Sequence, residues 1–397
     1  MSNESPFFLT KIECPICKAV NEFETVRVGS YYENGRDTDF CPKEIKWRFP
    51  RYQGYNPLVY FTAMCTNCYY TREFNNSFKE WKGDNNFRMY RLKAVKEKHL
   101  ERLAEADSVI RSIGEAIDIT RYPNESAILK LALAIYDEQL GERCSNLDLG
   151  RFYLRIAWIF RELEKGENPG VTHLKGLMLE IDRQFYSLKE AFEKSREELV
   201  TFVRHLSSHF EADQLSGEVK ARMVPYRDRF TPDLDGMARN LSESEAHLKT
   251  VSALMDEYKS VAFGTEGVGE GMSFGSHHSF TDFLLSLKKR WDGIVTNERE
   301  ALQQAIAYYK KAFAGGRDIS PGNQQIQASY LIAELSRRIE AYDDARQYFN
   351  STIKHGQEFI YQNRQDPSRT ALARKILELA IEQGKANMKA LKSSEEG

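Results

Sequence analysis

The chain has 397 residues, of which 41% are hydrophobic and 29% are charged, and its formal net charge is -2. This length is sufficient for two or three domains with cores of their own. A net charge so close to zero argues against a protein that holds nucleic acid or a membrane by bulk charge alone. The sequence lacks a signal-peptide pattern and any apolar run of about 18 residues, so we expect a cytoplasmic protein.

The first predicted domain covers residues 1–85, which are rich in aromatic residues, proline and glycine. Short runs such as FETVRVGSYY and NPLVYFTAMC alternate residues that favour β-strands, so we expect a small sheet. Such a segment has little apolar mass for a core of its own. A bound metal ion would therefore help it to fold.

This domain contains two CxxC pairs, Cys14 with Cys17 and Cys65 with Cys68. In a reducing compartment such pairs more often bind metal or carry out redox chemistry than form structural disulfides. Two tight turns on adjacent hairpins could direct four thiolates at one ion, which is the closed geometry of structural zinc. Four thiolates could also hold one iron. Neither pair is followed by the usual glycine, because Lys18 and Tyr69 stand there.

A redox role for these cysteines is the weaker interpretation. A thioredoxin-type motif needs a CxxC that opens a helix after a strand, whereas polar, extended sequence follows Cys14. Of the remaining thiols, we interpret Cys41 as packed or in a turn and Cys144 as an isolated structural cysteine. Asp37 and Asp39, which precede Cys41, are interpreted as turn residues.

The segment KEIKWRFPRYQGYNPLVYF interleaves cationic and aromatic side chains and offers a second interpretation of this domain. Such a mixture could stack bases and neutralise phosphates. It is equally typical of a small core with solvated cations, and the excess of basic residues here is small, so binding of nucleic acid is disfavoured. The contacts would be made by Lys43, Lys46, Trp47, Arg48 and Arg51.

Beyond residue 85 the sequence is helical over 86–165 and again over 281–391. Ala305, Tyr309 and Ala312 have the small-aromatic-small spacing of a tetratricopeptide (TPR) repeat, and Ala345 with Phe349 recurs forty residues later. Small residues there let helices approach closely. We therefore predict TPR-like helices with a groove for a peptide or protein.

First helices of TPR repeats usually supply the contacts of such a groove, and paired arginines could clamp a carboxylate. The candidate partner-binding residues are Tyr153, Arg155, Arg161, Tyr330, Arg337 and Arg338.

Residues 166–262 separate the two helical parts and are predicted to form an inserted arm. Apolar residues recur at spacings of three and four over 174–210 and 237–258, which favours an antiparallel coiled coil. Pro225 and Pro232 should stop any continuous helix between them, with the turn somewhere in 211–236. The alternative is two core helices of a compact bundle. The glycine-rich stretch 263–280 is predicted to be a flexible linker, and self-association through the exposed heptads is plausible.

The segments CPIC, RDTDFCP, YNPLVYFTAMCTNC, LRIAWIFREL and YLIAELSRRIEAYDDA together resemble an uncharacterised bacterial family. Its members join an N-terminal zinc-ribbon-like domain, with four cysteine ligands, to C-terminal TPR-like helices. The resemblance covers about 1–163 and 294–355, so the arm is a departure from shorter members. It implies that the four paired cysteines are the metal ligands and implies no activity.

These patterns predict a mostly α chain, with a small β-rich zinc-ribbon-like domain, TPR-like hairpins and an inserted antiparallel coiled-coil arm. No catalytic motif is visible, so we do not expect an enzyme. The leading functional hypothesis is an intracellular interaction or scaffold protein with a structural zinc. A zinc-ribbon nucleic-acid-binding regulator is the alternative, and a thiol oxidoreductase is less favoured.

Overall fold

The computed structural model describes residues 5–49, 52, 55–85, 87–165, 169–210, 216–263 and 274–395. It divides into two compact units, one formed by 1–166 with 277–397 and the other by 167–276. Strands occur in the N-terminal part and long helices follow, which confirms the predicted mostly α chain with a small β-rich N-terminal region. Among the helices described, none combines the length and the apolar character needed to cross a membrane.

The N-terminal part of the first unit is built from three antiparallel hairpins. They pair β1 Phe7–Glu13 with β2 Val20–Val26, β3 Tyr31–Arg36 with β4 Pro42–Trp47, and β5 Thr62–Met64 with β6 Thr71–Glu73. The first and third hairpins turn at the two CxxC pairs. Ile12, Ile16, Phe23, Phe78 and Trp81 pack around these cysteines, so the apolar core of this part surrounds the sulfur atoms.

The helices of the first unit lie on both sides of the second unit in sequence. They are α1 Asn76–Lys79, α2 Leu92–Ala104, α3 Val109–Ala116, α4 Pro123–Gln139, α5 Asn146–Lys165, α8 Phe280–Lys288, α9 Glu298–Gly315, α10 Asn323–Arg338, α11 Tyr342–Gln362 and α12 Pro367–Glu395. The described part of the unit also contains a 3-10 turn at Pro57–Tyr60 and a π turn at Phe87–Arg91.

Helix α5 packs against α9, although the whole second unit separates them in sequence. The ring of Tyr153 stacks on that of Tyr308, with centroids 5.6 Å apart. Gly150 lets the two backbones approach, because an added Cβ would stand 3.2 Å from the ring of Tyr309. These close contacts join the two sequence-distant parts of the unit.

Helices α10, α11 and α12 pack through the small and aromatic residues that the spacing singled out. Ala333, Ala345 and Phe349 are buried together with Tyr330. Glu340 holds a left-handed φ of 67° between α10 and α11, the position at which a repeat usually has glycine. The turn therefore forms without the residue that would have signalled it.

The second unit contains α6 Pro169–Phe210 and α7 Gly217–Phe263, joined by the ion pair of Arg196 with Glu245 at 2.9 Å. The prediction that Pro225 and Pro232 stop the helix is wrong, since both lie inside α7. This stretch of α7 is exposed to solvent. Water can therefore hydrate the carbonyl groups that lose an amide partner to each proline.

The predicted coiled-coil seam is only partly covered within this unit. Among the side chains described in α6 and α7, none is buried. Phe185, Phe192 and Leu199 are half-buried, whereas Ile181 and Leu188 are 48% and 57% exposed. The seam therefore involves fewer positions than the heptad pattern suggests, and self-association through it stays a prediction.

Candidate metal centre and adjoining groove

The two CxxC turns have the same backbone geometry. Cys14 N–H donates to the carbonyl of Ala19 at 2.8 Å and Lys18 N–H to that of Cys14 at 3.1 Å. In the second turn Cys65 N–H donates to Tyr70 at 2.9 Å and Tyr69 N–H to Cys65 at 2.8 Å. Each turn thus presents two sulfur atoms from a closed loop between antiparallel strands.

Lys18 and Tyr69, the residues after each second cysteine, have φ values of 67° and 61°. This left-handed conformation favours glycine, which explains why glycine commonly follows such a pair. The chain reaches the same geometry with larger residues. The side chain of Lys18 packs on Trp81, with its ammonium 4.3 Å from the centroid of the ring.

The four sulfur atoms converge on one point. They lie within 4.8 Å of one another, with Cys14 Sγ 3.7 Å from Cys68 Sγ and Cys17 Sγ 3.5 Å from Cys65 Sγ. Four thiolates around a tetrahedral ion, each about 2.3 Å away, would stand about 3.8 Å apart. The four cysteines can therefore hold one metal ion, in the arrangement that the sequence predicted.

Burial and mutual hydrogen bonding control the protonation of these thiols. The contact with Cys65 raises the pKa of Cys14 to about 12, and burial acts in the same direction. The reciprocal contact lowers the pKa of Cys65, so the cluster favours one thiolate over several. A metal ion must displace the remaining protons to bind, which makes its affinity depend on pH.

Two buried groups outside the cluster fix the turns. Asn21 donates from Nδ2 to Cys65 Sγ at 3.4 Å and accepts from the Thr66 N–H at 2.9 Å. His99 bridges the second turn to α4, with Nε2 2.8 Å from the carbonyl of Cys68 and Nδ1 2.6 Å from Asp137. Because both ring nitrogens face acceptors, the imidazolium form suits this site. Although burial opposes it, Asp137 raises the pKa of His99.

These supporting residues were not identified from the sequence. Asn21 is an ordinary strand residue by pattern, and His99 with Asp137 come together only when α2 and α4 pack behind the third hairpin. Their one signal is the presence of a histidine and an aspartate on predicted core faces of helices, where an unpaired polar group would be costly.

The segment Asp37–Phe40, at the turn between β3 and β4, inserts among the helices. Asp39 is fully buried and accepts from Arg161 Nη2 at 2.7 Å. Arg338 pairs with Asp37 at 2.8 Å. The interpretation of the two aspartates as simple turn residues is therefore incomplete, because their charges join the second hairpin to α5 and α10.

Helix α10 also binds the backbone of this segment. Tyr330 donates its hydroxyl to the carbonyl of Thr38 at 2.8 Å, and the Thr38 hydroxyl donates to buried Glu334. Phe40 packs 5.6 Å from the ring of Tyr330. Three predicted partner-binding residues, Arg161, Tyr330 and Arg338, thus bind an acidic turn of the same chain.

The other three predicted partner-binding residues have different surroundings. Tyr153 is buried and donates its hydroxyl to the carbonyl of Gly293 at 2.8 Å, so its side chain belongs to the core. Arg337 pairs with Glu334 at 2.7 Å. Arg155 is half-buried and lies against the ring of Phe61, 4.1 Å from its centroid.

A groove of about 980 Å³ opens beside the inserted segment. Its walls come from the β3–β4 hairpin and mainly from helices α5, α10 and α12, with Tyr309 of α9, so the N-terminal part and the helical part form it jointly. Its apolar lining includes Leu58, Phe61, Leu154, Leu331, Leu372 and Leu379. Apolar walls with a few charged groups are typical of ligand-binding clefts.

The residues proposed for nucleic acid do not form a stacking surface. Trp47 is 3% exposed and donates its ring N–H to the carbonyl of Tyr55 at 2.9 Å, so its ring cannot stack on a base. Lys46 pairs with Glu44 at 2.7 Å. Lys43 and Arg48 are exposed, and Arg51 lies outside the described residues.

Fold and site together define a mostly helical protein whose N-terminal part brings together four cysteines that could hold a metal ion. A match to a family described as an uncharacterized protein conserved in bacteria (DUF2225) covers residues 7–219 and 285–371. The chain belongs to this family, which confirms the resemblance. The match includes α6, so this half of the predicted arm is not a departure from the family. No curated protein and no solved structure matches the chain.

Proposed function

We propose that the protein is a non-enzymatic interaction protein in which a zinc-stabilised N-terminal ribbon and a helical array form one peptide-binding groove. This proposal rests on the observation that the N-terminal part and the helices form the groove together. The β3–β4 hairpin supplies one wall, and three helices supply the others. A stable ribbon is then a condition for an intact groove.

Zinc is the ion that best suits the centre in this proposal. Four converging thiolates are the usual ligand set of structural zinc, and three of the four cysteines are buried. A thiol oxidoreductase needs a thiolate that a substrate can reach, commonly at the start of a helix. Both CxxC pairs here lie in turns between antiparallel strands, which favours the structural role.

Site-specific crosslinking tests the proposed groove. Leu372 on α12 lines the groove and is 44% exposed, while Ile381 on the same helix is 40% exposed. Nine residues separate them, which places them on opposite faces of the helix. A photoreactive benzoylphenylalanine at position 372 should form adducts in cells with an extended peptide segment of one or a few proteins.

The same probe at position 381 is the matched control. Equal adducts from both positions, or none from position 372, would contradict a groove that binds peptides.

A further inference from the structure

The guanidinium of Arg155 lines the groove and has no acidic partner among the described residues. Its guanidinium makes one hydrogen bond, to the carbonyl of Arg151 at 3.1 Å, and lies over the ring of Phe61. Among the described residues no carboxylate lies at ion-pair distance from it. Burial, together with the neighbouring charge of Arg151, lowers the pKa of Arg155. A half-buried cation left unpaired in the free protein is costly, and this cost would be removed by an anionic ligand.

The charged groups around the groove also favour a negatively charged ligand. Four cationic side chains and two carboxylates line it. One of the cations, Arg151, is already paired with Asp148 at 2.8 Å and with Glu73 at 3.3 Å. Glu33 already pairs with Arg36 at 2.9 Å, and Asp37 with Arg338 at 2.8 Å. Lys375, on α12, has no acidic partner among the described residues. The groove therefore attracts negative charge that the chain itself does not supply there.

We propose that the groove binds an extended peptide whose carboxylate is held by Arg155, with its apolar side chains against the leucine-rich wall. This inference rests on the proposed function and names the chemistry of its partner. A guanidinium matches a carboxylate with two parallel hydrogen bonds, which gives direction as well as affinity. We assign the carboxylate to an Asp or Glu side chain, because the carboxylates that Arg161 and Arg338 hold beside the groove, Asp39 and Asp37, are side chains.

The turn Asp37–Phe40 shows which chemical groups the adjoining surface binds. Arginines hold its carboxylates, Tyr330 holds a backbone carbonyl and Phe40 enters the apolar core beside them. The groove continues from this segment along α5, which adds Arg155, and along α12, which adds Lys375 and apolar residues. A peptide with an acidic and an apolar residue therefore fits the unfilled part.

Fluorescence anisotropy with three labelled hexapeptide mixtures tests the inference on the full-length, metal-loaded protein. The first mixture has a fixed Asp and an amidated C-terminus, and the second has neutral side chains and a free C-terminal carboxylate. The third replaces the Asp of the first with Asn and is amidated. We expect the first mixture to bind at least about tenfold more tightly than the third. A preference for the second mixture in place of the first would overturn the assignment of the carboxylate to a side chain.

Variants then assign the effect to Arg155. Arg155→Gln should weaken the preferred mixture about tenfold or more and leave the neutral mixture unchanged. Arg155→Lys keeps the charge and should retain part of the preference. Arg346→Gln is the matched control, because Arg346 pairs with Asp343 on the exposed face of α11.

Equal binding of all three mixtures, or a carboxylate preference that survives in Arg155→Gln, would overturn the inference while leaving the groove of the proposed function intact. Absence of binding by any mixture would also overturn it. Crosslinking from position 372 then decides separately whether the groove binds peptides at all.

Discussion

At the scale of single residues, the close packing around the second CxxC turn depends on Gly114 in α3. A Cβ at this position would stand 2.2 Å from the ring of Tyr69, which follows Cys68 directly. Tyr69 cannot move freely, because its left-handed backbone closes the turn. The metal-binding turn and the helix behind it therefore fit together only if residue 114 has no side chain.

Gly114→Ala should lower the free energy of unfolding by about 1–3 kcal/mol, despite the better helix propensity of alanine. Urea denaturation measures the loss. Gly236→Ala is the matched control, since this glycine in α7 has nothing within 4 Å of an added Cβ. The control should gain up to about 1 kcal/mol. Equal effects of the two changes would mean that the Tyr69 ring moves aside for the added methyl group, contrary to the packing described.

Lys130 gives a prediction for pH. Its buried ammonium donates to the carbonyl of Val59, and burial lowers its pKa from 10.5 to about 8. Between these values the unfolded chain binds more protons than the folded one, so stability contributed by this group rises as pH increases from about 8 to 10.5. Below pH 8 the full cost of burying the charged ammonium, up to about 3 kcal/mol of the unfolding free energy, is present.

Lys130→Met should therefore reduce the dependence of stability on pH in this window and stabilise the protein at pH 7. Loss of the hydrogen bond to Val59 offsets part of the gain. The measurement is the difference in unfolding free energy between the two proteins across pH 7 to 11. A difference that stays constant over this range would mean that Lys130 titrates at its ordinary pKa in the folded protein.

At the scale of elements, the turn between β3 and β4 is fixed to α5 and α10 by charges. Asp39 is fully buried, and Arg161, which contacts both Asp39 and Glu298, is nearly so. Removing one member of such a group leaves an uncompensated charge in the interior. The hairpin should therefore separate from the helices when Asp39 loses its charge.

Asp39→Asn should cost about 3 kcal/mol of stability and increase hydrogen exchange at the amides of the β3–β4 turn. Asp343→Asn is the control, because the Asp343 side chain is 76% exposed in its pair with Arg346, so its loss should cost less than about 1 kcal/mol. If the two changes cost the same, the buried network does not hold the hairpin.

The elements also show how far local patterns predict the structure. The CxxC spacing predicted the two turns, because their chemistry is contained within five residues. The helix through Pro225 and Pro232 was not predicted, because local rules for proline do not include hydration of the freed carbonyl groups. Asp37 and Asp39 were seen as turn residues, since their arginine partners lie more than a hundred positions away in sequence.

At the scale of the whole molecule, the sequence predicted a groove with four arginines and two tyrosines but not its geometry. Arg161, Tyr330 and Arg338 were found on helices and are engaged by the chain's own hairpin. Of the predicted arginines, Arg155 alone has no carboxylate at ion-pair distance among the described residues, which is why the proposed ligand is assigned to it. Which of these arginines are paired depends on how the N-terminal part packs on the helices. No local periodicity of the sequence predicts that packing.

The metal content of protein purified without chelator or added metal is the most direct test of this arrangement. We expect about one zinc per chain. In Cys68→Ser the zinc should be lost, and the β3–β4 hairpin should become exposed to hydrogen exchange, because Trp47 of β4 packs on Phe7 of β1, and β1 leads into the first CxxC turn. One iron per chain, or no metal together with a disulfide that forms and breaks readily, would contradict a structural zinc centre and favour a redox role for the four cysteines.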